Sequence, residues 1–271
     1  SPWERTYQLW ARHVGLDTHV LEDTPALRWG RRVEEVIAQG YIEQLKRPIR
    51  HLGSHTLLVS RRWPWLACTI DRLTSRDNNS DMLVPLEIKG LNRFRTGDWE
   101  EDVPAHVQQQ LMTQIAVYGS DWGSVGVLFG YHEFAWRDFD RNQEWIDHMV
   151  IKTKRFWEKN VGQQIAPVLD DSEGTLECVK RVYSVGDESE IILDHAAEKW
   201  AAQLEEARNA IAYHERAKRQ AKANLRQAIG KATRAMLPGG GFYHLKTITV
   251  DKKAQPAVIY SYRKLQRGKQ L

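Results

Sequence analysis

Asp71, Glu87 and Lys89 are the residues of this 271-residue chain whose types and spacing suit hydrolytic chemistry. Asp71 ends an apolar run, Trp65-Leu-Ala-Cys-Thr-Ile-Asp71, and Leu86-Glu87-Ile88-Lys89-Gly90 follows sixteen residues later. Residues two apart on a strand share a face, so Glu87 and Lys89 project together while Ile88 enters the core. Charges alternating with Leu86 and Ile88 in a short buried strand are costly unless something compensates them. A divalent cation held by Asp71 and Glu87 would do so, with Lys89 beside it to orient or deprotonate a water. Hard oxygen donors favour Mg²⁺, with Mn²⁺ as a substitute, over Zn²⁺. The chemistry this suits is phosphodiester hydrolysis. Alone, an aspartate followed by Glu-x-Lys is a short pattern that most often marks an ordinary surface strand or helix.

The elements that must position these residues can be read from periodicity. Residues 3–14 and 28–46 read as helices, the second carrying Trp29, Val33, Val36, Ile37, Tyr41 and Leu45 at three- and four-residue steps. Segments 56–60 and 65–71 read as two strands of a hairpin, and Leu83 to Ile88 as a third strand closed by Gly90. Asp77-Asn78-Asn79-Ser80-Asp81 is a turn cluster. Pro104 begins a helix to Tyr118. Strands at 123–129 and 133–139 and a helix from Gln143 to about Val161 complete an α/β core with a mixed sheet. This gives a domain over 1–165, a linker over 166–187 and a basic helical extension over 188–271. In that extension a long helix or helical hairpin runs from about Leu193 to Met236, and a β-hairpin pairs 242–250 with 258–262.

Composition narrows the function classes. No stretch approaches the roughly 18 to 20 apolar residues of a membrane span, and no secretory signal is visible at Ser-Pro-Trp-Glu-Arg. Two cysteines, Cys68 and Cys178, build neither a disulfide framework nor a four-cysteine cluster. His55, His106 and His132 are scattered. The near-neutral total of +4 hides an asymmetry: 195–234 hold nine basic and four acidic side chains, 235–271 seven and one. The tail therefore carries +11 and residues 1–194 carry −7, a pattern suited to a polyanion or an acidic partner. Arg216, Lys218, Arg219, Lys222 and Arg226 lie in a stretch with no acid and form a candidate DNA- or partner-binding surface; a merely solvated helix is the plain alternative. Trp63 and Trp65 flank Pro64 and read as core residues ahead of a base-stacking pair.

The order Trp29-Gly30-x-x-x-Glu34, Asp71, Glu87-x-Lys89, Pro104-x5-Gln110 and Tyr118-Gly119 resembles the YqaJ-like viral recombinase family, relatives of lambda exonuclease within the PD-(D/E)XK nuclease superfamily. The matching text is RWGRRVEEVI, PWLACTIDRL, VPLEIKG, VPAHVQQQLMTQIAVYG and VGVLFGYHEF, ending near RFWEKNV. The resemblance implies a restriction-endonuclease-like core. It implies metal binding by Asp71, Glu87 and the carbonyl of Ile88, a catalytic Lys89, and support from Glu34 and Gln110. Glu35 then faces solvent, and Gln108, Gln109 and Gln114 read as surface amides. Arg95 and Thr69 stand where lambda-type relatives hold a 5′ phosphate; Arg93 and Arg95 tracking a duplex backbone is the alternative. The superfamily proline before the aspartate is Ile70 here, and the family's N-terminal helix falls ahead of Ser1.

By that resemblance the expected activity is a Mg²⁺-dependent 5′→3′ exonuclease degrading one strand of linear double-stranded DNA in phage or prophage recombination. The expected location is the cytoplasm of a bacterial host, away from membranes. Duplex ends, a single-strand annealing protein and other copies of the chain in a trimeric ring are the implied partners. An endonuclease of the same chemistry acting on branched or unended DNA, and a non-catalytic DNA-binding scaffold, are the rival readings.

Overall fold

The computed structural model describes residues 4–19, 23–53, 56–76, 82–99, 101–130, 132–186 and 188–245, and omits the side chains of Arg93, Arg95 and Asp98. The turn cluster 77–81, His55 and the expected strand at 258–262 lie outside these residues. Two compact units divide the chain at Tyr183 and Ser184.

In the first unit, α1 (Thr6–His13) precedes α2 (Pro25–Leu45), which starts with Pro25 in its first turn and the Thr24 hydroxyl accepting from the Leu27 N–H. The strands β1 (Ile49–Arg50), β2 (Leu58–Val59), β3 (Ala67–Cys68), β4 (Arg72–Thr74) and β5 (Val84–Leu91) follow. A 3₁₀ stretch, Arg93–Trp99, leads to α3 (Ala105–Tyr118), β6 (Trp122–Phe129), β7 (Glu133–Asp140) and α4 (Gln143–Arg155), which continues as a π-helical segment, Phe156–Gly162. The main sheet has the order β1-β4-β5-β6-β7, parallel between β5 and β6 and antiparallel elsewhere. The expected mixed α/β core is therefore present. The 65–71 run is broken, however: β3 pairs with β2, whereas β4 begins only after Asp71 and joins the main sheet.

Alternation on β5 assigns its two faces. Leu86 and Ile88 pack with Ile37, Ala38 and Tyr41 of α2, while Glu87 points toward α3, whose Gln114 it meets. On β6, Val125 joins the α3 cluster with Leu111 and Ile115, while Ser124 accepts the Tyr41 hydroxyl at 2.9 Å on the α2 side. Gly123 sits where α3 comes closest: a Cβ there would lie 2.8 Å from a Leu111 methyl and 3.1 Å from the Pro85 carbonyl oxygen.

The stretch expected as a linker contains a helix, α5 (Glu173–Val182). Its Cys178 is buried against Tyr7, Trp10 and Ala11 of α1, with Val179 and Val182 packed alongside. The polar Asp-Asp-Ser-Glu-Gly start concealed a short amphipathic helix capped by Ser172, whose hydroxyl accepts from the Thr175 N–H. Asp17 fastens the pair, accepting from Arg181 at 2.6 Å.

In the second unit, α6 (His195–Ile229) has no buried residue, and Asp194 caps its start. It stops at Gly230 (φ 57°), short of the expected Met236. Residues Arg234–Met236 form β8 and pair with β9 (Phe242–His244). The glycines Gly240 and Gly241 supply the positive φ (93° and 81°) of the connecting turn. Leu237-Pro-Gly-Gly-Gly thus turns a hairpin as well as following a helix. No helix among the described residues is long and apolar enough to cross a membrane.

Candidate active site

The site forms where β4 and β5 part. Arg72, the first residue of β4, marks the end of its pairing with β5, opposite Leu86. Continued one step, the ladder would put Asp71 opposite Glu87. Instead the strand ends, and the Asp71 carboxylate takes the Ile88 N–H through Oδ2 at 2.9 Å. Sequence order thus places Asp71 at a strand terminus and Glu87 mid-strand, while the divergence of the strands brings the charge of Asp71 to bear on Glu87.

Glu87 is 1% exposed. Its Oε1 lies 2.5 Å from Lys89 Nζ, and its Oε2 accepts from Gln114 Nε2 at 2.6 Å. Lys89 Nζ also donates to Gln110 Oε1 at 3.2 Å. Gln114 Nε2 donates in addition to the Thr69 carbonyl at 3.0 Å, two residues before Asp71. The amide of Gln114 is fully committed as a donor, and its own buried Oε1 has no partner among the described residues.

Glu34 projects from α2, with Oε2 3.8 Å from an Arg72 guanidinium nitrogen. The other arm of Arg72 reaches Glu35 at 3.1 Å. Glu35 is otherwise exposed, as expected.

Burial is the main reason that all three carboxylates bind protons more tightly than usual. Burial followed by the charge of Asp71 pushes Glu87 up to about 7, against the opposing pull of Lys89 and Gln114. Burial also raises Asp71, opposed by the Ile88 N–H, Lys89 and Arg72. Glu34 is raised by burial and then by the charge of Asp71. Asp71 thus repels both Glu87 and Glu34, and hard oxygen donors under such repulsion are relieved by a small divalent cation. Asp71 and Glu87 offer hard carboxylate oxygens of the kind such an ion takes. Among the described residues no three His, Cys, Asp or Glu side chains form a ready ligand cluster.

The remaining candidates divide. Glu34, Asp71, Glu87, Lys89 and Gln110 are linked by the contacts and fields above. Ile88 joins through its backbone, its side chain being buried against α2. Thr69 is exposed and contributes its carbonyl to Gln114. Arg93 and Arg95 lie on the 3₁₀ stretch, but their side chains are outside the description. The tail cations Arg216, Lys218, Arg219, Lys222 and Arg226 are exposed on α6, and Lys218 pairs with Glu215 at 2.8 Å.

Gln114 corrects the surface-amide expectation: it is 1% exposed and holds Glu87. Its signal was the helical stripe Val107, Leu111, Gln114 and Ile115, which puts position 114 on the buried face. Trp63 is buried and Trp65 packs against the same cluster, donating to Thr153 Oγ1 at 3.2 Å. Both tryptophans are therefore core residues. Cys68 has its thiol pushed up to about 11, by burial first and the charge of Glu87 second.

Residues 1–121 match the family model described as the YqaJ-like viral recombinase domain. The Bacillus subtilis (strain 168) protein YqaJ is 23% identical over 188 residues, which cover 68% of this chain and 56% of that protein. The chain thus spans little more than half of that relative's length. Among solved structures, the alkaline exonuclease LHK-Exo from Laribacter hongkongensis aligns with a TM-score of 0.45 and 14% identity, over 57% of this chain and 87% of that one. LHK-Exo in complex with dAMP gives 0.48 and 14%, over 58% and 78%. Residues 1–121, which carry Glu34, Asp71, Glu87, Lys89, Gln110 and Gln114, are thus similar to the YqaJ-like viral recombinase domain.

Proposed function

We propose that the chain is a metal-dependent nuclease of the PD-(D/E)XK type that degrades one strand of linear double-stranded DNA from its 5′ end during phage or prophage recombination. The observation that carries this reading is the convergence of Asp71, Glu87 and Lys89 at the β4–β5 divergence, with Gln110 and Gln114 holding the last two.

Asp71, Glu87 and the Ile88 carbonyl would hold Mg²⁺, with Mn²⁺ as substitute. When bound, such a cation supplies Lewis acidity toward the attacked phosphate and makes water a better nucleophile. Lys89 Nζ, steadied by Gln110 Oε1, would orient an attacking water. The water oxygen bonds to phosphorus as the bridging P–O bond breaks; the proton the water gives up goes to solvent, and the departing oxygen takes one from solvent. Glu34 keeps a negative field on the Asp71 side. Arg95 and Thr69 hold the 5′ phosphate, the planar guanidinium of Arg95 taking two of its oxygens. A trimeric ring, a single-strand annealing partner and duplex contact by the α6 cations complete the proposal.

The test incubates linear duplex bearing 5′ phosphate or 5′ hydroxyl, and a closed circle, with Mg²⁺ and either the protein or Lys89→Ala. Loss of linear DNA alone, faster with the phosphate and absent in the variant, is expected. Cutting of the circle would favour the endonuclease reading. Binding without cleavage would favour the scaffold.

A further inference from the structure

The longest helix among the described residues, α6, buries none of its side chains, yet its large apolar residues fall in one row. Trp200, Leu204 and Ile211 are 64%, 40% and 64% exposed. With Ala207 they recur at alternating steps of four and three, and His214, Lys218, Ala221 and Leu225 continue the same steps. That alternation is the spacing at which two helices bury a shared seam. From this row and the charges beside it we infer that α6 is an interface with a second copy of the chain, the two helices running antiparallel. The inference uses α6 alone and is independent of the nuclease reading.

One register satisfies the whole row. With Ile211 facing His214 of the partner subunit, Ala207 meets the partner's Lys218 and Leu204 meets the partner's Ala221. Trp200 then packs on the partner's Leu225, and two-fold symmetry repeats every pair. The small Ala207 leaves room for the Lys218 stem, whose ammonium extends past the seam to solvent. Beside the seam, the same register sets Arg208 against Glu215 of the partner subunit, and Glu215 against the partner's Arg208. Within their own helix these two residues meet only Glu205, at 3.7 Å, and Lys218, at 2.8 Å, among the described residues.

Charge fixes the direction. With histidine neutral, residues 195–212 hold two basic and three acidic side chains, and residues 213–229 hold five and one. Antiparallel pairing sets the −1 half against the +4 half. Parallel pairing would set the two +4 halves together and place Arg208 beside Gln203 of the partner subunit. In the antiparallel pair Arg216, Arg219 and Arg226 stay on the outer face, where duplex phosphates can reach them.

The experiment measures association of the full chain by sedimentation equilibrium at low salt, with helicity checked by circular dichroism. It compares wild type, Arg208→Glu, Glu215→Arg and the double swap Arg208→Glu/Glu215→Arg. Wild type should assemble in an even number of copies. Each single reversal should weaken the pairing about 10-fold, because two ion pairs turn repulsive at once. The double swap should restore it, although neither residue regains its partner within the helix. An odd number of copies in wild type, equal association in all four proteins, or failure of the swap to restore it would overturn the inference. Where a reversal melts α6, cross-linking under air decides, with Cys68 and Cys178 alone as the control. Ile211→Cys/His214→Cys should then join two chains, and a product that stays a single chain would overturn the inference.

Discussion

Replacing Asp71 by Asn should abolish cleavage and yet make the metal-free protein more stable. Glu87 is pushed up to about 7 from an ordinary value of 4.5, by burial first and Asp71 second. Its folded form holds a proton that the unfolded chain releases near 4.5. The stabilisation from that proton is complete below about 4.5 and is lost as pH rises through 7, a swing of about 3 kcal/mol at 1.4 kcal/mol per unit. The amide introduced by Asp71→Asn would keep an oxygen for the Ile88 N–H, now taken by Asp71 Oδ2. It would also remove the second-largest cause of the Glu87 shift and the buried charge of Asp71 itself. A gain of about 1–2 kcal/mol at pH 8 follows, or about 2–8 °C in Tm for a protein of this size. The assay is differential scanning calorimetry in EDTA at pH 8 and pH 5, repeated with Mg²⁺. The advantage of Asp71→Asn should shrink at pH 5, and Mg²⁺ should raise the Tm of wild type alone. A variant melting at or below wild type at pH 8 in EDTA, or gaining equally from Mg²⁺, would refute the reasoning.

Other perturbations probe the frame around the site. The Arg181 hydrogen bond, aided by the His19 N–H, lowers Asp17 to about 2. Its stabilisation is present above the ordinary carboxylate range and is lost as pH falls through about 2. Asp17→Asn should therefore cost about 1–3 kcal/mol near neutrality and flatten the acid limb of the stability curve; an unchanged acid limb would reject the clamp. Gly123→Ala places a Cβ 2.8 Å from Leu111 and should cost about 1–3 kcal/mol by overpacking, read as a lowered denaturant midpoint. If the five α6 cations follow duplex phosphates, log K against log salt in EDTA should lose about two units of slope in Arg219→Gln/Lys222→Gln. An unchanged slope would leave that helix face to another partner.

Sequence alone determined the α/β class and the order of most elements, and singled out Asp71, Glu87 and Lys89 as the set on which the proposed chemistry rests. Those features rest on local rules: alternation on β5, the helical stripe of α2, and a proline just ahead of the first turn of α3. It misread the polar start of α5 as linker because only packing against Tyr7 and Trp10 shows that its short apolar stripe has somewhere to go. It likewise assigned Gln114 to the surface, since residue type argued for solvent while position argued for the core. Tertiary structure decided the rest. Whether two carboxylates sixteen residues apart meet depends on where β4 leaves β5. How the Glu87 carboxylate is held depends on an amide from a third element, Gln114, and that long-range arrangement is fixed only when α3 packs down on the sheet.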